Sequence, residues 1–111
     1  MEKIIADLGI AVSIETIDPE CLGAIDFYPA GADCTYNRVQ TGRGGIKQIM
    51  SEIQGMMFES GLKQFYFDAD GCDRRARIYQ LFLRRAGLQV VHDAEDDLFY
   101  FTVDNSAVKF L

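Results

Sequence analysis

Apolar residues recur along this chain at two different periods, and the change from one to the other marks out its elements. Residues 9–17, GIAVSIETI, are rich in β-branched side chains and read as a strand. Asp18-Pro19 breaks the run, and residues 21–28, CLGAIDFY, read as a second strand, so the two predict a hairpin. After Pro29-Ala30-Gly31-Ala32-Asp33, residues 34–40, CTYNRVQ, read as a third strand.

The period then lengthens. Ile46, Ile49, Met50, Ile53, Met56 and Met57 fall on one stripe of an amphipathic helix, and a stripe at this spacing belongs in a core. Gly61 suits the left-handed position after its end. Residues 62–68, LKQFYFD, return to a strand, Asp70-Gly71 turns the chain, and Asp70 or Asp73 is a candidate cap for a second helix over 73–86. Ala76, Tyr79, Phe82, Leu83 and Ala86 share one face of that helix, while Arg74, Arg77 and Arg85 point elsewhere. Arg84-Arg85 complement the helix dipole, and Gly87 suits the stop. Residues 88–92 and 98–103, LQVVH and LFYFTV, form a closing hairpin across the acidic turn 93–97, and a tail follows from Asp104. The order β-β-β-α-β-α-β-β predicts an α/β protein of the α+β, mixed-sheet type, with helices covering the sheet.

With 111 residues, the expectation is a single domain spanning 1–111. No apolar run approaches the roughly 18 residues of a membrane span, and the N-terminal MEKIIADLGIAV lacks the basic region of a signal peptide. A cytoplasmic protein is expected. Cys21, Cys34 and Cys72 are odd in number and form no CxxC pair, which argues against a disulfide framework or a zinc site and for three buried thiols. No metal is expected.

Charge adds a second division. The net charge is −6, yet residues 38–85 hold nine basic and five acidic residues, a local balance of +4, while the remainder holds two basic and twelve acidic, or −10. The basic stretch is either a solvated helix face or a surface that meets an anion. Overall acidity and the lack of a known motif argue against nucleic acid, despite Arg74, Arg75, Arg77, Arg84 and Arg85 on one helix.

Gly42-Arg43-Gly44-Gly45 reads as a flexible, donor-rich turn at the start of the first helix, where free backbone N–H groups and the helix dipole favour a phosphate. Asp68-Ala69-Asp70-Gly71 after a strand is similar to the first motif of haloacid dehalogenase-type phosphatases, but only about 40 residues follow it, and the turn-and-cap reading is preferred. His92, the single histidine, has no nucleophile elbow to serve.

The order and lengths of residues 34–103 resemble the C-terminal two-thirds of the GNAT family of N-acetyltransferases. In that family a strand leads into a glycine loop and a long helix, followed by a strand, a helix with a central tyrosine, and a closing hairpin. The family's loop reads Arg/Gln-x-x-Gly-x-Gly/Ala, and its later signature is an Asn, then Ala-x-x-Tyr, then Gly-Phe. Here Ala76-Arg77-Ile78-Tyr79 and Ala86-Gly87-Leu88 keep the later signature, with Cys72 at the Asn position. The loop departs from its pattern: with Gly45-Ile46 aligned to the central Gly-x, Gly42 replaces Arg or Gln and Lys47 replaces Gly or Ala. Lys47 there either crowds the pyrophosphate of acetyl-CoA or supplies charge to it, with Gln40 or Arg43 as stand-ins for the missing residue.

The resemblance implies a minimal GNAT-like fold without the N-terminal helices that form much of the acceptor site. It implies acetyl-CoA as cofactor, held by Arg38, Val39, Gln40, Gly42, Arg43, Gly44, Gly45, Lys47 and Cys72. It implies that an amine attacks the thioester, that a backbone N–H near residues 38–40 polarises its carbonyl, and that Tyr79 protonates the leaving thiolate. Glu15, Asp26 and Asp68 are the candidate general bases. The expected function is acetyl-CoA-dependent N-acetyl transfer to an unknown amine. The alternative is a GNAT-like domain without catalysis that binds or builds, since the chain is similar to phage-encoded GNAT-like proteins, internal virion proteins among them, whose glycine loops are eroded. A homodimer through an exposed apolar face of the closing hairpin is a further expectation.

Overall fold

The computed structural model describes residues 1–19, 21–31, 43–69 and 72–103, with Arg43 by its backbone alone. The expected strand over 34–40, the Asp70-Gly71 turn and the tail from Asp104 lie outside the described residues.

The described chain forms β1 (Glu2–Ile5), β2 (Ile10–Ile17), β3 (Leu22–Pro29), α1 (Arg43–Ser60), β4 (Gln64–Asp68), α2 (Asp73–Arg85), β5 (Val90–Asp93) and β6 (Leu98–Thr102). It is an α+β fold, with a mixed six-stranded sheet in the order β1-β2-β3-β4-β6-β5. The expected β2–β3 hairpin is present, in register from Ile10↔Pro29 to Ile17↔Leu22. β1 had no counterpart in the sequence reading. Its four residues are too few to display a period, and they are fixed by pairing with β2 from Glu2↔Ser13 to Ile5↔Ile10. β3 and β4 pair in parallel across α1, and all the other ladders are antiparallel.

Both helices lie on one face of the sheet. Period-2 alternation sends Val12, Ile14, Ile25, Phe27, Phe65, Phe67, Phe99 and Phe101 to that face. Ile49, Met50, Ile53, Met56 and Met57 of α1 and Tyr79, Phe82 and Leu83 of α2 complete the core, as the helical spacing predicts. Gly61 (φ 70°) and Gly87 (φ 73°) take the left-handed conformation expected of them. Beyond α2 the Leu88 N–H donates to the Leu83 carbonyl at 3.1 Å, which closes the helix end. Gly23 has a different reason. A Cβ there would stand 2.5 Å from Cδ1 of the fully buried Phe65 ring, so the strand is glycine where an aromatic from the next strand crosses it.

Several expectations are corrected. α1 begins at Arg43, so Gly44, Gly45 and Lys47 form its first turn and not a loop before it. Of the three glycines in α1, Gly55 lies in the interior, where glycine costs roughly 0.5–1 kcal/mol relative to alanine, and burial of the Ile49–Ile53 stripe outweighs it. The residue preceding α2 is Cys72, which makes no side-chain capping bond, and Asp73 is already helical. Cys21 and Cys72 are free and exposed, because both sit in connections rather than in the core. β6 is not an edge. It lies between β4 and β5 with Phe99 and Phe101 in the core, and the edge of the closing hairpin is β5.

Candidate functional site

The β3–β4 ladder stops at Ile25↔Phe67, although β3 continues to Pro29 alongside β2. Beyond that point β4 turns away, and the Ala69 N–H donates to the Asp97 carbonyl in the closing hairpin at 3.1 Å. The two parallel strands therefore part at their C-terminal ends, the position where open α/β sheets take ligands.

Arg75 occupies this parting. It lies on the inner face of α2 and is 6 % exposed. One guanidinium nitrogen, Nη2, donates to the Phe27 carbonyl at 3.3 Å, in place of a ladder partner. The other, Nη1, donates to the Tyr79 hydroxyl at 3.2 Å and stands 3.8 Å from Oδ1 of Asp26. The guanidinium also lies over the Phe27 ring, 4.3 Å from its centroid. A buried charge must be both paired and hydrogen-bonded, and this one is.

Tyr79 is fully buried. Its ring stacks on Phe67 at 4.3 Å and meets Phe27 and Phe99 edge-on at 6.2 Å. Burial pushes its phenol well above the ordinary range, and the Arg75 charge beside it offsets only part of the rise. The hydroxyl that the family resemblance assigns to a leaving thiolate is here a hydrogen-bond acceptor inside the core.

Of the three candidate bases, Asp26 also reaches the Arg75 guanidinium, at 3.8 Å. Glu15, Asp26 and Asp68 project from β2, β3 and β4 on the face away from the helices, around Tyr66. Tyr66 packs across the strands against Tyr100, ring centroids 5.4 Å apart. Its phenol is raised by partial burial first, then by Tyr100 and the three carboxylates.

Of the expected cofactor residues, Arg38, Val39, Gln40 and Gly42 lie outside the described residues. Gly44, Gly45 and Lys47 are on the first turn of α1, and Cys72 precedes α2. Among the described residues, no group of three or more His, Cys, Asp or Glu could hold a metal ion. His92 bonds Asp97 at 2.8 Å and stacks on Phe99 at 4.2 Å, which ties the hairpin together. No described helix is long and apolar enough to cross a membrane.

Arg75 is the residue that the sequence reading missed. Its position was legible: Arg75, Tyr79, Phe82 and Leu83 fall at i, i+4, i+7 and i+8, one helical face. An arginine is so seldom buried that composition argued against the spacing. No family model matches the chain, and neither a curated protein nor a solved structure matches it.

Proposed function

We propose that the chain is a GNAT-like domain that works by binding and not by acetyl transfer. One observation carries this reading: the parting of β3 and β4 is filled by the protein's own arginine. A thioester lying between two strands needs free backbone groups along their inner edges. Here the Phe27 N–H donates to Oδ1 of Asp26 at 2.8 Å, and the Phe27 carbonyl and the Tyr79 hydroxyl both accept from Arg75. Burial of Tyr79, which raises its phenol above the ordinary range, counts against a general-acid role. The order of α1, β4, α2 and the β5–β6 hairpin, with Tyr79 central in α2, supports the GNAT-like part of the reading.

Acetyl transfer is the rival, and it rests on Gly44-Gly45 at a helix start together with Ala76, Tyr79 and Gly87. A thiol-release assay with acetyl-CoA and a panel of amines separates the two. No protein-dependent release of CoA is expected. Release that falls on the order of 10²-fold in Tyr79→Phe, with the fold intact, would overturn the proposal and return Tyr79 to a general-acid role.

A further inference from the structure

The sheet ends in two edges, β1 and β5, and among the described residues no strand lies beyond either. β1 carries Lys3, which pairs with Glu59 at 3.2 Å and Glu52 at 3.8 Å in α1, and an edge lysine is a common guard against pairing with another chain. β5 has no such guard. Val90, Val91, His92 and Asp93 include neither Lys nor Pro, and Val91 stands 70 % exposed. Alternate residues of an edge strand direct their N–H and C=O groups outward, so β5 offers a template for one more strand.

This edge also carries opposite charges at its two ends. Arg84 is in the last turn of α2, which ends just before β5 begins, and it lines a groove beside β5 with Gln80, Leu88, Val90, His92 and Phe99. It is exposed and has no ion-pair partner among the described residues. At the far end, the turn from β5 to β6 carries Glu95 and Asp96, both exposed and likewise without an ion pair among the described residues. Their backbone N–H groups donate to Oδ1 of Asp93 at 3.1 and 3.4 Å, which fixes the turn without using either carboxylate. An edge that is positive at one end and negative at the other is complementary to itself when turned end for end.

We infer that β5 pairs antiparallel with β5 of a second copy about a two-fold axis, joining the two sheets into one. Facing residues in an antiparallel ladder have the same orientation, so the axis passes through a residue rather than between two. At Val91 it sets the two exposed valines against each other on the outer face, and Val90 against His92 of the other copy on the helix face. Leu88 then comes level with Ala94 of the other copy, and Arg84 meets its Glu95 and Asp96. An axis at His92 would instead set Val91 against Asp93. The contact is isologous, so each charge pairing occurs twice and growth stops at two chains. Four residues of strand edge make a small interface, for which a Kd on the order of 100 μM is expected at low salt. The inference stands on the strand edge alone, and it is independent of whether acetyl-CoA binds.

Sedimentation equilibrium tests it. In about 50 mM salt and up to about 0.5 mM chain, the unsubstituted protein is expected to approach twice the monomer mass and not exceed it. Val91→Lys, which brings two ammonium groups together at the axis, is expected to remain monomeric, whereas Ile4→Lys on the other edge is expected to dimerise as the unsubstituted chain does. Arg84→Glu alone, or Glu95→Arg/Asp96→Arg alone, makes both charge contacts repulsive, and each is expected to weaken the dimer by about tenfold or more. An equimolar mixture of those two proteins makes both contacts attractive and is expected to dimerise again. All of these positions are exposed, so unchanged circular dichroism spectra are expected. The inference is overturned by a chain that keeps its monomer mass at about 0.5 mM, or by growth beyond two chains. It is equally overturned by Val91→Lys dimerising normally, by Ile4→Lys failing to dimerise, or by a mixture no tighter than its components.

Discussion

The two faces of one sheet have been put to opposite uses. Toward the helices, Phe27, Phe67 and Phe99 pack against Tyr79, and Phe67 and Phe65 stack on Phe101 at 5.6 and 5.8 Å. Away from the helices, the residues one step along the same strands are Asp26, Tyr66, Asp68 and Tyr100. The backbone ladders are shared, so the difference is entirely one of side chains and of what covers them. The buried aromatic rings are concentrated on the first face, and the second carries carboxylates and half-buried tyrosines.

Truncation sharpens this contrast most. Phe67→Ala is expected to cost about 3–5 kcal/mol in urea unfolding, because it removes a fully buried ring and leaves a cavity. Tyr66→Ala, one residue away on the other face, is expected to cost less than about 1 kcal/mol, the scale of a cross-strand pair. Similar costs at the two positions would show that the outer face is also core.

The second test breaks the plug between the strands. Arg75→Ala leaves the Phe27 carbonyl and the Tyr79 hydroxyl without their donor, and it is expected to cost about 2–4 kcal/mol. Arg75→Met, which keeps the bulk, is expected to cost less. A loss under about 0.5 kcal/mol in Arg75→Ala would mean that the guanidinium does not hold the parting closed.

The smallest effect is a slope. Above about pH 10 the Tyr79 phenol ionises in the unfolded chain, while burial keeps it neutral in the folded one. The unfolded state then binds fewer protons, and stability falls as pH rises, by up to about 1.4 kcal/mol per pH unit. Below that pH the group contributes no slope. Tyr79→Phe is expected to flatten the decline measured between about pH 10 and 11, the other tyrosines being common to both proteins. Equal slopes would place the Tyr79 hydroxyl in contact with water.

The core was the most legible part of the chain. The α1 stripe from Ile46 to Met57 and the alternation in β2, β3 and β6 follow from local spacing, and the stripe is buried from Ile49 on with Ile46 partly buried. Sheet order was not legible, because the insertion of β6 between β4 and β5 is a choice among distant partners that no local period encodes. Nothing in the sequence around Gly23 signals the Phe65 ring that crosses it. The candidate site was legible in half. Tyr79 belonged on the inner face, but its hydroxyl could point to a ligand or to a neighbour. The folded structure adds what the spacing alone did not, Arg75 four residues before it donating to that hydroxyl.

Calorimetric titration of acetyl-CoA into the purified chain tests the closed parting most directly. No saturable heat is expected up to about 1 mM cofactor, which sets the binding free energy weaker than about −4 kcal/mol. Saturable one-to-one binding with a Kd below about 100 μM would contradict the account, because the cofactor would then have found room that Arg75 is argued to fill.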